Sequence, residues 1–483
     1  MSLTECQARK ITLVRALETR DNAGLWTADD AKEATRATKG EGKTTFDQFV
    51  ARRAEQAWSE IGKLSANPIT NLKVPRWPTF VGWLLVVISM LTGFVTDHLV
   101  SDHRVNIVEL PLVGLIIWNL IIFLGIFVRW IAALVSSKPK RGGVLTEMLG
   151  KLHLWEGMTV SKATHPDGNA CQWVDQFRTT WISLSAHLNQ VRLELVMHMA
   201  AMSFTLGTLG SLYIRGFFKE YRAGWESTFF SADSIHAIAS FVLMPGAFIL
   251  NMQIPDVQHI AHLRFPESSG EIARDWIHLY AASILVWIIM PRALLAISNG
   301  FSRWRLHRCF PLPVANIYFK VLSAIYRDGK ATALVIPFRY DMTPQIKSNL
   351  SSLLGRVHGL TVDISIQSPV LMGEDTSDWK VALGNEKNFV IFVVFNLTAT
   401  AESDTHAHLM ERVQKDVRGR TSIIPIVDIS SYADRDKKRR RQREKQWRSI
   451  LDKVGFKPLF LDLSRPDDEE VLNELKKGLN DHE

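Results

Sequence analysis

The sequence predicts a multi-pass α-helical membrane protein with four transmembrane helices, followed by a C-terminal cytosolic α/β domain of the doubly wound type. Two apolar runs carry the membrane part. Pro78 to Val95 reads PTFVGWLLVVISMLTGFV, and Val105 to Val135 is broken mainly by Glu109, Asn119 and Arg129. A bilayer core of ~30 Å needs about 20 apolar residues in a helix, so either run can span it. Neither has the polar face of a soluble core helix. From residue 330 the pattern changes to short buried strands alternating with helices, which implies a mainly parallel sheet with helices on both faces.

The 483 residues carry a formal net charge of +8, with 22% charged side chains. That balance suits spans mixed with soluble regions beside an anionic membrane face, and makes nucleic acid the least expected partner. Cys6, Cys171 and Cys309 are too few and too far apart for a disulfide framework or a paired Cys-x-x-Cys metal knuckle. The N-terminal MSLTECQARKITLVRALETRD has no signal-peptide apolar stretch, so the first span is expected to direct insertion.

Residues 1–76 read as a cytosolic helical region. Ile11, Leu13, Val14 and Leu17 mark one amphipathic helix, Asp29 and Asp30 cap a second, and Phe46 to Leu64 forms a third. Residues 77–136 make a transmembrane hairpin, helices 1 and 2. Lys73, Arg76, Lys138, Lys140 and Arg141 flank it, against Arg104 alone in its loop, with Asp97 and Asp102. The positive-inside rule then puts the N-terminus and the helical insert 137–192 in the cytosol. Trp173, Phe177, Trp181, Leu184, Leu188 and Val191 form a helical seam that runs without a breaker into the third span, 193–214. Ser203, Gly207 and Ser211 permit close helix–helix approach there. Residues 215–271 are an extracytoplasmic loop. Within it 234–250 is apolar but interrupted by Pro245 and Gly246, as a re-entrant helix pair or a fifth span. The fourth span lies in 272–298. Arg292 stands about 24 Å of helical rise from Trp276, near the inner interface, where it is expected to snorkel. A gating or pairing role is its sharper reading. The linker 299–329 is basic and aromatic. In 330–483 the strands are 331–338, 362–367, 388–397, 422–429 and 457–463, with helices at 343–357, 404–417, 436–453 and 467–479.

No catalytic residue, cofactor site or metal site is expected. The loop KGEGKTT, residues 39–45, has Ala37 where a phosphate loop needs glycine, and no buried strand before it. The turns after the strands, RYDMTPQ and NLTATAES, lack glycine, and VDISSYAD with Asp428 and Asp434 matches no guanine-specificity motif. His153, Glu156, His165 and Cys171 show no recognised zinc spacing, nor do Asp256, His259 and His262. Arg435 to Arg448 is the most charged stretch, and Lys437, Lys438, Arg439, Arg440 and Arg441 head it. A solvated helix is one reading; docking to anionic lipid or an acidic partner is the other. Trp447 alone is too little aromatic interleaving for nucleic acid.

YRAGWEST at 221–228, WIHLYAASILVWIIMPRALLA at 276–296 and VRALETRD at 14–21 resemble the bacterial membrane family known as domain of unknown function 2868, over most of the chain. The resemblance implies the bacterial inner membrane, with both termini cytosolic by the charge pattern. Members often stand beside a predicted GTPase, so it also implies a soluble GTPase partner; it brings no activity and no site residue. The leading expectation is a non-enzymatic scaffold or receptor in the lipid bilayer. In it Arg222, Trp225 and Glu226 order the outer loop: Arg222 pairs with Glu226 at i, i+4 if the segment is helical, and Trp225 sits at the membrane interface. The alternative is a subunit of a homo-oligomeric channel or transporter, with Pro111, Pro245, Gly246, Pro291 and Arg292 as broken helices and a gate. A membrane enzyme would need a nucleophile or metal group that the sequence does not offer.

Overall fold

The computed structural model describes residues 3–20, 26–39, 45–64, 79–96, 104–107, 112–135, 172–314, 316–328, 331–357, 362–369, 381, 390–417, 421–432 and 437–481. The flanking cations Lys73, Arg76, Lys138, Lys140 and Arg141 lie outside these residues, as do the hairpin-loop acids Asp97 and Asp102. So do Glu109, Pro111, Asp434, most of KGEGKTT, and the group His153, Glu156, His165 and Cys171. The chain divides into two compact units. One joins residues 1–74, 153–184 and 308–483; the other joins 75–152 and 185–307.

The first unit opens with α1 (Glu5–Arg20), α2 (Ala28–Lys39) and α3 (Phe46–Leu64). Each begins with a reciprocal cap that satisfies orphan N–H groups of the first turn. Gln7 N–H donates to Thr4 Oγ1 while Thr4 N–H donates to Gln7 Oε1. Thr27 and Asp30 repeat the exchange, as do Thr45 and Gln48. Asp30 therefore caps by reaching back from inside the helix to Thr27, whereas Asp29, expected to share that role, pairs with Lys32 at 3.0 Å. Ile11, Leu13, Val14 and Leu17 are all buried. Trp173, Phe177 and Trp181, from the first turns of α6 (Gln172–Gly216), are buried too, and Trp181 stacks on Phe310 with ring centroids 5.2 Å apart.

The same unit holds a five-stranded sheet. Its strands are β4 (Ala331–Pro337), β5 (Val362–Ile366), β6 (Val390–Asn396), β7 (Ser422–Asp428) and β8 (Leu459–Leu461), in the order β5-β4-β6-β7-β8 and all parallel. Each lies within one residue or two of the sequence expectation. β4 is buried along its whole length, which is why it reads as a continuous apolar run rather than an alternation. Leu334, Ile336, Ile391, Val393 and Phe395 share one core with Leu409 and Val413 of α13 (His408–Val417) and Trp447 and Leu451 of α14 (Lys437–Lys453). α11 (Ile317–Asp328) packs on β4, α12 (Pro344–Val357) on β5 and α15 (Glu469–Asp481) on β8.

A buried ion pair gathers the N-terminal helices. The Arg53 guanidinium, 1% exposed, donates to Glu18 Oε1 at 2.6 Å, to Thr35 Oγ1 at 2.8 Å and to the Tyr318 hydroxyl at 3.1 Å. Trp26 Nε1 donates to the same Glu18 carboxylate. Burial lowers the Arg53 pKa, but Glu18 and Tyr318 outweigh it and hold the group above its ordinary range. Residues from α1, α2, α3 and α11 thus meet at one point, so the expected separate N-terminal region and the α/β region form a single packed unit.

The second unit is built from helices. Among the described residues, five helices are long and apolar enough to cross a membrane: Thr79–Thr96, Val113–Ala132, Trp173–Gly216, Ala232–Leu250 and Arg274–Arg308. They include α4 (Thr79–Thr96), α5 (Leu112–Val135) and α7 (Ala232–Leu250). α9 (Arg274–Ile284) runs through a π-turn, Leu285–Ile289, into α10 (Met290–Arg308). Their outer faces are apolar: Leu285, Met290, Leu294, Ile297, Phe301 and Trp304 are exposed in one row. A soluble helix would bury such a row, so the row fits a lipid solvent.

α7 corrects the expectation of a broken pair at 234–250. Pro245 sits inside one continuous 19-residue helix. The helix survives because its neighbour supplies the missing partners: Gly246 N–H donates to Ser283 Oγ at 3.1 Å, and Trp287 Nε1 donates to Val242 O at 3.1 Å. Trp287 lies in the π-turn, so the irregular turn of one helix answers the proline of the other. The expected Gly207 contact is present. A Cβ at Gly207 would overlap Met90 O, a Cβ at Gly93 would overlap Phe204 O, and Thr208 Oγ1 donates to Gly93 O at 3.2 Å.

A small sheet, order β1-β2-β3, closes one end of this unit with β1 (Arg104–Asn106), β2 (Arg222–Gly224) and β3 (Glu271–Ile272). β1 and β2 are parallel, β2 and β3 antiparallel.

Candidate functional site

Three places hold polar groups that could do more than support the fold. The first is inside the helix bundle. Arg292 is 5% exposed, so it does not snorkel. Its Nε donates to Asn119 Oδ1 at 2.7 Å, Nη1 lies 3.4 Å from His198 Nδ1, and the guanidinium stands 5.6 Å from the centroid of the Phe123 ring. α5, α6 and α10 each contribute a group. With Arg292 Nη1 donating, His198 Nδ1 must be the bare nitrogen. No carboxylate pairs with Arg292 among the described residues. Arginine costs about 2.5–3.5 kcal/mol at a helix centre on insertion scales, and a desolvated aromatic face such as Phe123 returns ~2 kcal/mol. Snorkelling failed as an expectation because Asn119, which looked like a mere break in an apolar run, offers a buried acceptor.

The second place is the carboxyl edge of the parallel sheet, where such folds take ligands. Tyr340, just after β4, donates its hydroxyl to Asp428 Oδ2 at the end of β7, at 2.5 Å. Asp428 also accepts from Ser430 N–H, Ser430 Oγ and Leu463 N–H. Burial first, and then the Asp428 carboxylate, push the Tyr340 phenol well above its ordinary range. β6 lies between β4 and β7, so this bond runs over the end of β6. Arg443 donates to the carbonyls of Leu397, Thr398 and Ala399 that follow β6. Between β4 and β7 the edge is occupied by the chain's own groups; at the ends of β7 and β8, Ile429 and Asp462 line a cavity of about 460 Å³. None of Tyr340, Arg443 and His406 was singled out from sequence, because their partners lie 44 to 88 residues away for the first two; His406 is buried among Phe338, Phe395 and Trp447.

His406 gives a pH prediction. Burial holds its pKa below the ordinary 6.5; the Glu402 backbone bond opposes this and Arg339 reinforces it. The unfolded chain therefore takes up this proton first, so the His406 contribution is full above pH ~6.5 and is lost as pH falls toward the folded value. Thermal unfolding midpoints measured from pH 7.5 to 5.5 should fall less steeply in His406→Phe than in the wild type. Parallel curves would reject the assignment.

The third place is α14. Arg440 is taken by Glu444 at 2.8 Å and lines a cavity of about 460 Å³ with Asp462, Arg465, Asp468 and Glu474. Arg448 stands over the Phe460 ring. Trp447 is buried. Arg439 and Arg441 are exposed, as is Lys445, and no acidic partner meets these three among the described residues. Lys438 is also exposed. The side chain of Lys437 lies outside the described residues. The inward arginines Arg440 and Arg443 are thus used by the fold, while Arg439, Arg441 and Lys445 on the outer face meet no acidic partner among the described residues.

The outer-loop residues are placed differently from expectation. Arg222 is on a strand, so it cannot pair with Glu226 at helical spacing; it bonds Glu220 Oε1 at 3.1 Å and Gly270 O at 3.2 Å. Trp225 is 2% exposed, donates to Ile260 O at 2.7 Å and lies under Arg264, so it is a core residue of the small sheet and not an interface anchor. Glu226 is exposed, and its carbonyl accepts from Asn106. His259 faces Glu271 at 3.0 Å, while Asp256 caps α8 (Val257–His262) by accepting from His259 N–H. Neither that group nor any other set of three or more His, Cys, Asp or Glu could hold a metal among the described residues.

Apolar spanning-length helices joined in one chain to a parallel α/β sheet define a membrane protein with a polar module. Residues 163–315, about a third of the chain and not most of it, match the family described as Protein of unknown function (DUF2868). YRAGWEST and the 276–296 run fall inside the match; VRALETRD falls outside it. No curated protein matches the chain.

Proposed function

We propose that this chain is a non-enzymatic scaffold or receptor of the bacterial inner membrane, whose doubly wound α/β module docks a soluble partner. Four crossings and cytosolic termini are part of the same proposal. Residues 1–74 and 308–483 pack as one unit, so both lie on one side and the number of crossings is even. α7 is the helix we count as not crossing, because the segments before and after it, Arg222–Trp225 and Arg264–Ile272, pair in one sheet. The observation that carries the docking reading is the outer face of α14, where Arg439, Arg441 and Lys445 are exposed and meet no acidic partner among the described residues. A GTPase is the partner the family resemblance suggests. Cross-linking of full-length protein in native membranes should join a GTPase to α14. In the triple variant Arg439→Glu, Arg441→Glu, Lys445→Glu, the yield should fall by about tenfold, as three lost charge contacts imply. Undiminished cross-linking would sink the reading. A homo-oligomeric channel or transporter is the second reading, favoured by one observation: the buried charge of Arg292 among the spans.

A further inference from the structure

We propose that Arg292, with Asn119 and His198, forms an anion-binding site inside the helix bundle that takes one phosphate-type group, as a free ion or as the headgroup of an anionic lipid. A guanidinium carries five N–H donors and always bears its charge. Two of the five are used, by Asn119 and His198, and no ion pair neutralises the charge among the described residues. Glu194, one turn before His198 on α6, is held by Gln190 at 2.9 Å. Arg292 shares its helix with the exposed apolar row Leu285–Trp304 and faces the opposite way, into the bundle. A buried, uncompensated cation in an apolar surrounding is stable only with a counter-charge, and a planar fork with free donors matches an oxyanion. Asn119 and the neutral His198 hold the fork in place by accepting from it, and neither competes for the anion as a donor through the nitrogen or oxygen facing Arg292. The proposal does not depend on what α14 docks.

The test uses full-length protein purified in maltoside detergent. Equilibrium dialysis against labelled inorganic phosphate and phosphorus analysis of co-purified lipid are run on the same sample. About one phosphate per chain in the first assay identifies a free ion. About one retained anionic lipid in the second identifies a headgroup. Either supports the site if Arg292→Gln weakens it at least about tenfold, as loss of a charge-assisted fork implies. The α14 triple variant should bind as the wild type does, which separates this site from surface cations. Less than a tenth of an equivalent in both assays on wild-type protein would overturn the proposal, whether or not Arg292→Gln folds. Equal binding by Arg292→Gln would overturn it as well.

Discussion

Arg53→Met is expected to destabilise the unit formed by residues 1–74, 153–184 and 308–483 by about 3–5 kcal/mol, because it leaves Glu18 buried without its cation. Both side chains of the pair are 2% exposed, so water cannot replace the lost partner. Thr35, Ala31 and Tyr318 lose a donor in the same step. The double variant Glu18→Leu, Arg53→Met should recover most of the loss, since removing both charges also removes the desolvation cost. Chemical unfolding of the full chain in detergent, followed through the tryptophans, measures the cycle. Additive single changes would show that the two residues are not coupled, contrary to their geometry.

Gly207→Leu and Gly93→Leu should each cost ~3 kcal/mol or more, the upper part of the range for overpacking, because the obstacle is backbone and cannot rotate away. In lipid there is little hydrophobic drive to press two helices together, so close packing is itself the attraction. The Thr208 bond to Gly93 O would be lost as α4 and α6 move apart. Gly210→Ala is the control: its Cβ would meet nothing within 4 Å. Monodisperse yield after extraction and the unfolding midpoint report the effect. Equal behaviour of Gly207→Leu and Gly210→Ala would refute the contact.

Apolar length and strand–helix alternation were legible in the sequence because both are local. That is why the sheet strands and the spanning-length helices stand where expected. Gly207 was legible for the same reason: small residues one turn apart mark a face. What stayed hidden depends on partners far along the chain. Asn119 looked like an interruption until Arg292 met it, 173 residues on. Pro245 looked like a break, because the sequence does not show Ser283 and Trp287 supplying its neighbours' bonds. The cationic run was read as one surface, yet packing splits it. Arg440 and Arg443 are half-buried, Arg448 lies over the Phe460 ring, and only part of the charge stays unengaged.

The junction at Arg53 also sets a timetable. Tyr318 follows it by 265 residues. At ~5–20 residues per second of synthesis, the first three helices exist for roughly 13–50 s before their last partner emerges. All the spanning-length helices are made in that interval. The face of α3 that meets α11 stays open to chaperones, and to wrong partners, until α11 has been made. Completion of the junction around the ion pair is thus a late event in biogenesis: a nascent chain halted between residues 65 and 307 holds Glu18 and Arg53 but lacks Tyr318.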